Sequence, residues 1–523
     1  MSVSPAQRLA VQRLGRPPNV AEDRLPIEEL RGDVRPRIGW LLRTSRLASE
    51  DSDLWTLQPF ARRLKDLGVN TDAGRVSRWE SSQTAVSHPV IRAYEAALRL
   101  APGHLTAICD GTYRSLDWRR TIPARAPSTV SDTSRRLNET FEAVRVTRPT
   151  GGDWLAFADV FAGPDLVFVP DSIWEDVTSR LLAEMVRSTG LAYVTRFEAL
   201  RHLMSRSDVA GHVARAVGAH MTSAFGQCQV DAISLLSNVN DQRATRLLLR
   251  LLAHHSPKVR TGAALALRDQ LESGRVPAAL LMELRGAIVG ALHDETDEDL
   301  GNQLVGLTVF LSPRHRGHVL RSAGRMVDDR RLEPAPPSYA GEILPAAGTS
   351  RIAQSLTSGL QHAGIDDDPM LTRLAREALF HSDAERRHQA SLLLMASPYR
   401  DVVAQRCIDQ ICATDDQVLI AAAYRLLTYL AGPAQSATLT SWLGSPDPQR
   451  RHALAALAHV PDWHHDGLAR MIESSDSALS AVAMYAAGML GESALQDVAQ
   501  CSATTAVRSA ADWWLRTGPA VRH

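Results

Sequence analysis

Lysine is almost missing from this chain of 523 residues: Lys65 and Lys258 are the only two, and every other basic side chain apart from histidine is arginine. Arginine's planar fork suits guanine edges and phosphates, but a bias this wide is read as genome composition rather than function. Cysteine is scarce as well. Cys109, Cys228, Cys407, Cys412 and Cys501 are scattered and odd in number, and no CxxC pair occurs. A disulfide framework is therefore excluded, and all five are expected to be buried as small hydrophobes. The adjacent pairs His254-His255 and His464-His465 point to different sides of a helix or lie in a turn, so they make poor metal ligands. No apolar run approaches the roughly 18 residues that span a bilayer, and the first residues, MSVSPAQRLAVQRLGRPP, lack the apolar core of a secretory signal. A cytoplasmic protein with no membrane partner is expected. Neither a P-loop, a GxGxxG fingerprint, a GxSxG elbow nor an HExxH helix occurs at a sensible place. Clusters such as Asp366-Asp367-Asp368 fit no EF-hand loop and read as helix-capping turns. No enzymatic activity, cofactor or metal is expected.

What is present is a soluble, globular composition of 45% hydrophobic and 22% charged residues, long enough for two or more domains. The formal net charge is zero, but it is unevenly spread. Residues 1–128 hold 20 Arg or Lys against 14 Asp or Glu, leaving 38 against 44 in the remainder. A basic front end suits phosphate contact, and an acidic remainder keeps such contact local.

The first 33 residues contain Pro17, Pro18 and Pro26 with no sustained periodicity and read as a flexible N-terminal segment. Ile38, Leu41, Leu42 and Leu47 then fall at helical spacing. The stretch Leu57 to Glu80, LQPFARRLKDLGVNTDAGRVSRWE, predicts two short helices joined by a tight turn. Phe60, Leu64 and Leu67 form the stripe of the first; Gly68 suits a left-handed C-terminal residue; Thr71 or Asp72 caps the second. Val76 and Trp79 give the second helix a buried side. Its opposite side offers Gly74, Arg75, Ser77 and Arg78: close backbone approach, two guanidinium groups and a hydroxyl for an anionic groove. Two more helices, opened by Pro89 and ending at Gly111, complete a five-helix unit over residues 34–112.

This unit resembles the lambda-repressor-like, Xre and Cro-type, helix-turn-helix DNA-binding domain, whose V-S-R-x-E pattern stands here as Val76-Ser77-Arg78-Trp79-Glu80. The resemblance implies core positions at Val76 and Trp79 and groove-facing positions at Ala73, Gly74, Arg75, Ser77 and Arg78. Arg78 is the first candidate for a base-edge contact. With the cap residues, the expected DNA-binding set is Thr71, Asp72, Ala73, Gly74, Arg75, Ser77 and Arg78.

Residues 113–134 are polar and Pro-containing, hence a linker, and 135–224 read as a helical connecting region. Beyond them polar turns with Asp or Pro recur ahead of Ala- and Leu-rich helices. The starts at Ser382, Thr414, Ser445, Ser474 and Thr504 are 32, 31, 29 and 30 residues apart. A period near 30 with two helices per unit predicts a solenoid. The units resemble HEAT repeats, giving a HEAT-like α-solenoid over 225–523, interrupted by a Pro-rich insertion near 332–348. Trp513 and Trp514 are expected to cap the last repeat. The whole reads as an all-α protein: an N-terminal five-helix helix-turn-helix domain followed by a repeat solenoid.

The function expected is a sequence-specific, nucleoid-associated transcriptional regulator binding double-stranded DNA, most simply as a homodimer, with the solenoid sensing a protein or peptide or building the dimer. The alternative is a protein-interaction scaffold whose helix-turn-helix does not read DNA.

Overall fold

The computed structural model describes residues 21–25, 27, 33–116, 130–145, 148–161, 169–222, 227–239, 241–293, 295, 298–322, 368–381 and 383–523. Among them are 26 α-helices and no strand. Five helices form the N-terminal unit: α1 (Val34–Leu47), α2 (Leu57–Asp66), α3 (Ala73–Glu80), α4 (His88–Ala97) and α5 (His104–Leu116). Asp33 caps α1, Pro89 lies in the first turn of α4, and Gly68 turns the chain after α2 at φ +86°. Ile38, Leu41, Phe60, Leu64, Val76, Ile91 and Tyr94 meet in its core, each at most 1% exposed.

Helix α6 (Val130–Arg145) packs on the first of ten stacked helices: α7 (Gly151–Phe161), α8 (Asp171–Met185), α9 (Gly190–Met204), α10 (Ser207–Thr222), α11 (Gln229–Leu236), α12 (Gln242–Leu251), α13 (Pro257–Glu272), α14 (Leu281–His293), α15 (Glu298–Leu307) and α16 (Pro313–Ser322). Odd-numbered helices touch one another in succession, and so do even-numbered ones, so the array is two-layered from α7 onward. The boundary expected at residue 225 is therefore not where the array begins: residues 151–161 and 169–222 are already solenoid. Residues 113–116 and 130–134 of the expected linker are also helical.

A second array holds α17 (Pro369–Phe380), α18 (Ala384–Ala396), α19 (Arg400–Ala413), α20 (Gln417–Leu430), α21 (Pro433–Ser441), α22 (Gln449–Leu457), α23 (Leu468–Ile472), α24 (Ser477–Leu490), α25 (Ala494–Cys501) and α26 (Thr505–Thr517). Its even-numbered helices form a continuous layer. The recurring turn aspartates explain the repeat: Asp383, Asp416 and Asp476 accept backbone N–H bonds at the starts of α18, α20 and α24. The Pro-rich stretch 332–348 lies outside the described residues.

The two arrays meet where α9 touches α18, and α5 of the N-terminal unit contacts both of these helices. At the other end the C-terminal tail returns to the first array. Val521 N–H donates to the Arg187 carbonyl at 3.0 Å, and Arg196 donates to the His523 carbonyl at 2.9 Å. Trp514 is buried against Gly488, and Trp513 lies 6.0 Å from the His220 ring of α10. The tryptophan pair thus closes the last repeat and also joins it to the first array. Cysteine burial departs from expectation: Cys109 and Cys407 are buried and Cys228 is half-buried, while Cys412 and Cys501 are exposed at helix ends. No described helix is long and apolar enough to cross a membrane.

Candidate nucleic-acid interface

Asp72 starts α3 by accepting the Arg75 backbone N–H at 2.7 Å. This resolves the choice of cap in its favour. Thr71 is buried at 4% exposure, its hydroxyl 3.4 Å from the Asp72 carbonyl, so it belongs to the interior rather than to an interface. The correction has a simple cause: a chain turning into a helix directs the residue before the cap against the core.

Along α3 the apolar spacing sorts the faces. Val76 and Trp79 are 0% and 3% exposed, Ala73 is half-buried, and Gly74, Arg75, Ser77 and Arg78 face solvent. Arg75 is ordered by its own helix: the guanidinium donates to the Asn70 carbonyl at 3.3 Å and lies 5.5 Å above the Trp79 ring. Arg78 folds towards Gly74, where an added Cβ would come 3.6 Å from its guanidinium. Gln58, Arg62, Arg63 and Lys65 are exposed on α2, which packs on α3. The two helices together present five cations to solvent.

Glu80, the last residue of the V-S-R-x-E pattern, does different work. It is buried, and Arg46 of α1 holds both its oxygens at 2.7 Å while the Tyr94 hydroxyl donates to one of them at 3.1 Å. The same guanidinium also donates to the Leu54 and Trp55 carbonyls, satisfying the turn before α2. Burial alone would lower the Arg46 pKa, but Glu80 outweighs it and the net shift is upward. Burial, then the Glu80 charge, pushes Tyr94 well above its ordinary value. Close packing completes the anchor: a Cβ on Gly39 would sit 2.8 Å from the Trp79 carbonyl oxygen.

The opposite side of this unit is docked on the solenoid. Arg37 is fully buried and donates two bonds of 2.7 Å to Glu377 of α17, and it also donates to Asp23 at 2.8 Å. Arg373 and Arg386 each donate to Glu377 at 2.9 Å. Against the upward pull of burial, Arg37 first, then Arg386 and Arg373, hold the Glu377 carboxyl well below the usual range. Trp40 donates to Asp368 at 2.9 Å and stacks on Tyr399. Arg114 of α5 bridges both arrays, 2.9 Å from Glu198 and 3.8 Å from Glu385. Buried Asp110 lies 3.1 Å from His88 and 3.3 Å from His202 of α9. Residues 21–25 depart from the expected flexible segment. Asp23 is 4% exposed, and the Asp23 and Leu25 carbonyls accept from Arg373.

Sequence reasoning brought together the α3 surface but missed Arg46 and Arg37. Both sit in the helical run RPRIGWLLRTSRL, where an arginine within an apolar stripe signals a buried partner. For Arg37 that partner lies 340 residues away. Among the described residues no group of three or more His, Cys, Asp or Glu side chains is arranged to hold a metal ion.

No family model matches the chain, and no curated protein matches it. Several solved structures are similar to it at low identity, two of which illustrate the likeness. One is a microtubule polymerase TOG-domain array described for tubulin recruitment and assembly, at 13% identity, covering 73% of this chain and 98% of that one, with a TM-score of 0.23. The other is an engineered protein, at 14% identity, covering 92% of this chain and 98% of that one, with a TM-score of 0.24. Superpositions this loose leave the solenoid assignment resting on the chain's own two-layered helix stacking.

Proposed function

We propose that the protein is a transcriptional regulator that binds double-stranded DNA through α2 and α3, used as a helix-turn-helix, while the solenoid frames this unit and receives a protein or peptide signal. The observation that carries the reading is the sorting of α3: Val76 and Trp79 are buried while Gly74, Arg75, Ser77 and Arg78 are solvent-facing, with Arg62, Arg63 and Lys65 exposed on the neighbouring helix. Asp72 is spent on the cap, and Ala73 marks the edge of the surface. A helix of eight residues reaches few bases. Two copies on a pseudo-palindromic site about 34 Å apart supply a useful affinity, so the active form is a homodimer acting at the nucleoid.

The test is a salt-titrated DNA shift on genomic fragments with the wild type and an Arg75→Ala/Arg78→Ala variant. Loss of about 1–3 kcal/mol of base discrimination per bidentate contact is expected in the variant. A wild type that binds no fragment at low salt leaves the scaffold reading instead. Sedimentation as a monomer, both free and on its operator, removes the dimer.

A further inference from the structure

The net acidity of the chain beyond residue 128 conceals a basic ridge that only the layering of the helices reveals. Along the even-numbered layer of the first array, α8 is acidic, and its Glu175 and Asp171 lie near Arg215 and His212 of α10. From α12 onward the sign changes. Helices α12, α14 and α16 carry seven arginines and one carboxylate, Glu283, whereas the odd-numbered layer of the second array carries five arginines against four carboxylates.

The centre of the ridge is α12. Arg243, Arg246 and Arg250 recur at i, i+3 and i+7 and are all exposed, while Ala244, Leu248 and Leu251 bury the other side. They line a cleft of about 420 Å³ with Leu249, Glu283 and Ala287. Arg246 stands 3.6 Å from Glu283, a contact exposed on both sides and therefore weak. On α16, Arg314 and Arg321 are exposed as well, whereas Arg316 is committed to the Thr308 and Val309 carbonyls.

We propose that this α12–α14–α16 ridge binds the phosphodiester backbone of duplex DNA as a second, sequence-independent contact surface. Three guanidiniums over seven residues span about 10 Å of helix axis, a length in which one DNA strand carries about three phosphates. Guanidinium forks suit phosphate oxygens, and three of them surround the cleft against the single carboxylate of Glu283. The inference takes its partner class from the reading of α3 but none of its residues, so the two fail separately.

The experiment measures binding of the full chain to a random-sequence duplex between about 50 and 200 mM salt. Arg243→Ala/Arg246→Ala/Arg250→Ala is expected to flatten the logarithmic salt slope by about 2–3, at roughly 0.9 per phosphate contact, with helical circular dichroism unchanged. Glu283→Gln removes the carboxylate that faces Arg246 in the cleft and is expected to tighten binding about two- to fivefold, a gain no folding defect produces. A triple variant with the wild-type slope, together with a Glu283→Gln chain of wild-type affinity, overturns the ridge. If Arg75→Ala/Arg78→Ala changes neither affinity nor sequence preference while the triple variant flattens the slope, the ridge stands and the α3 reading falls. The converse result leaves α3 alone.

Discussion

Arg46 and Glu80 show how one buried ion pair can fix a surface it does not belong to. Each is about 5% exposed, so neither charge is solvated, and each depends on the other and on Tyr94 for compensation. Because Glu80 ends α3, this pair determines where the exposed Arg75 and Arg78 stand relative to α2. Glu80→Ala leaves Arg46 buried without a counter-charge and is expected to cost about 3–5 kcal/mol. Urea unfolding monitored by tryptophan fluorescence checks this. Adding Arg46→Met should recover part of the loss, since an apolar pair carries no desolvation penalty. A Glu80→Ala chain as stable as the wild type would mean that packing alone sets the α3 pose.

Among elements, the solenoid's joints are more sensitive than its surfaces. The Ala- and Gly-rich helices allow close approach, and the extreme case is Gly488 of α24 under the Trp514 ring, where an added Cβ would lie 2.0 Å from ring atoms. Gly488→Ala must displace Trp514 and is expected to destabilise the terminal repeat by about 1–3 kcal/mol. Since Trp513 and the following tail also contact the first array, the loss should spread to α8 and α10. Hydrogen exchange resolved along the chain tests this: faster exchange confined to α26 would mean that the tail does not join the arrays cooperatively. The period of about 30 residues was readable because the repeat aspartates cap helices locally. Where the array begins was not readable: the starts of α8 and α10, at Asp171 and Ser207, do not keep the spacing of about 30 residues, and α7–α10 join the array by packing.

At the scale of the whole molecule, the N-terminal unit is held rather than tethered. Its contacts to α17 and α9 run through buried carboxylates, and this gives the assembly a pH dependence. Glu377 and Asp110 titrate below the ordinary carboxylate range in the folded chain, despite burial, because Arg37 holds the first and His202 and His88 hold the second. In acid the unfolded chain then binds more protons. The stability these groups contribute is present above about pH 4 and is lost as pH falls towards their folded values. Asp231 acts in the opposite sense. Burial pushes it up to about 6, so its contribution is lost as pH rises through that value. Asp269, pushed up to about 7 by burial first and then by neighbouring carboxylates, acts likewise, so stability should be highest near pH 4, and Asp231→Asn should shrink the decline between about pH 4 and 6 while leaving the acid limb unchanged. Thermal unfolding from pH 3 to pH 8 measures both limbs, and a flat acid limb would show that the docking network does not govern stability.

Local order needed only neighbouring residues, so the sequence by itself determined the all-helical class, the capped pair around Gly68, the buried and exposed faces of α3, and the 30-residue repeat. Each is set by hydrophobic periodicity or by a side chain bonding its own backbone a few residues away. Only the tertiary structure decided that Glu80 is an anchor, that residues 21–25 are packed, that residues 151–161 and 169–222 belong to the array, and that the arginines of α12, α14 and α16 share one layer. Those facts depend on partners up to 350 residues distant or on which layer a helix joins. Spacing along the chain carries no record of such pairings, because burial and charge compensation are settled only when the helices stack.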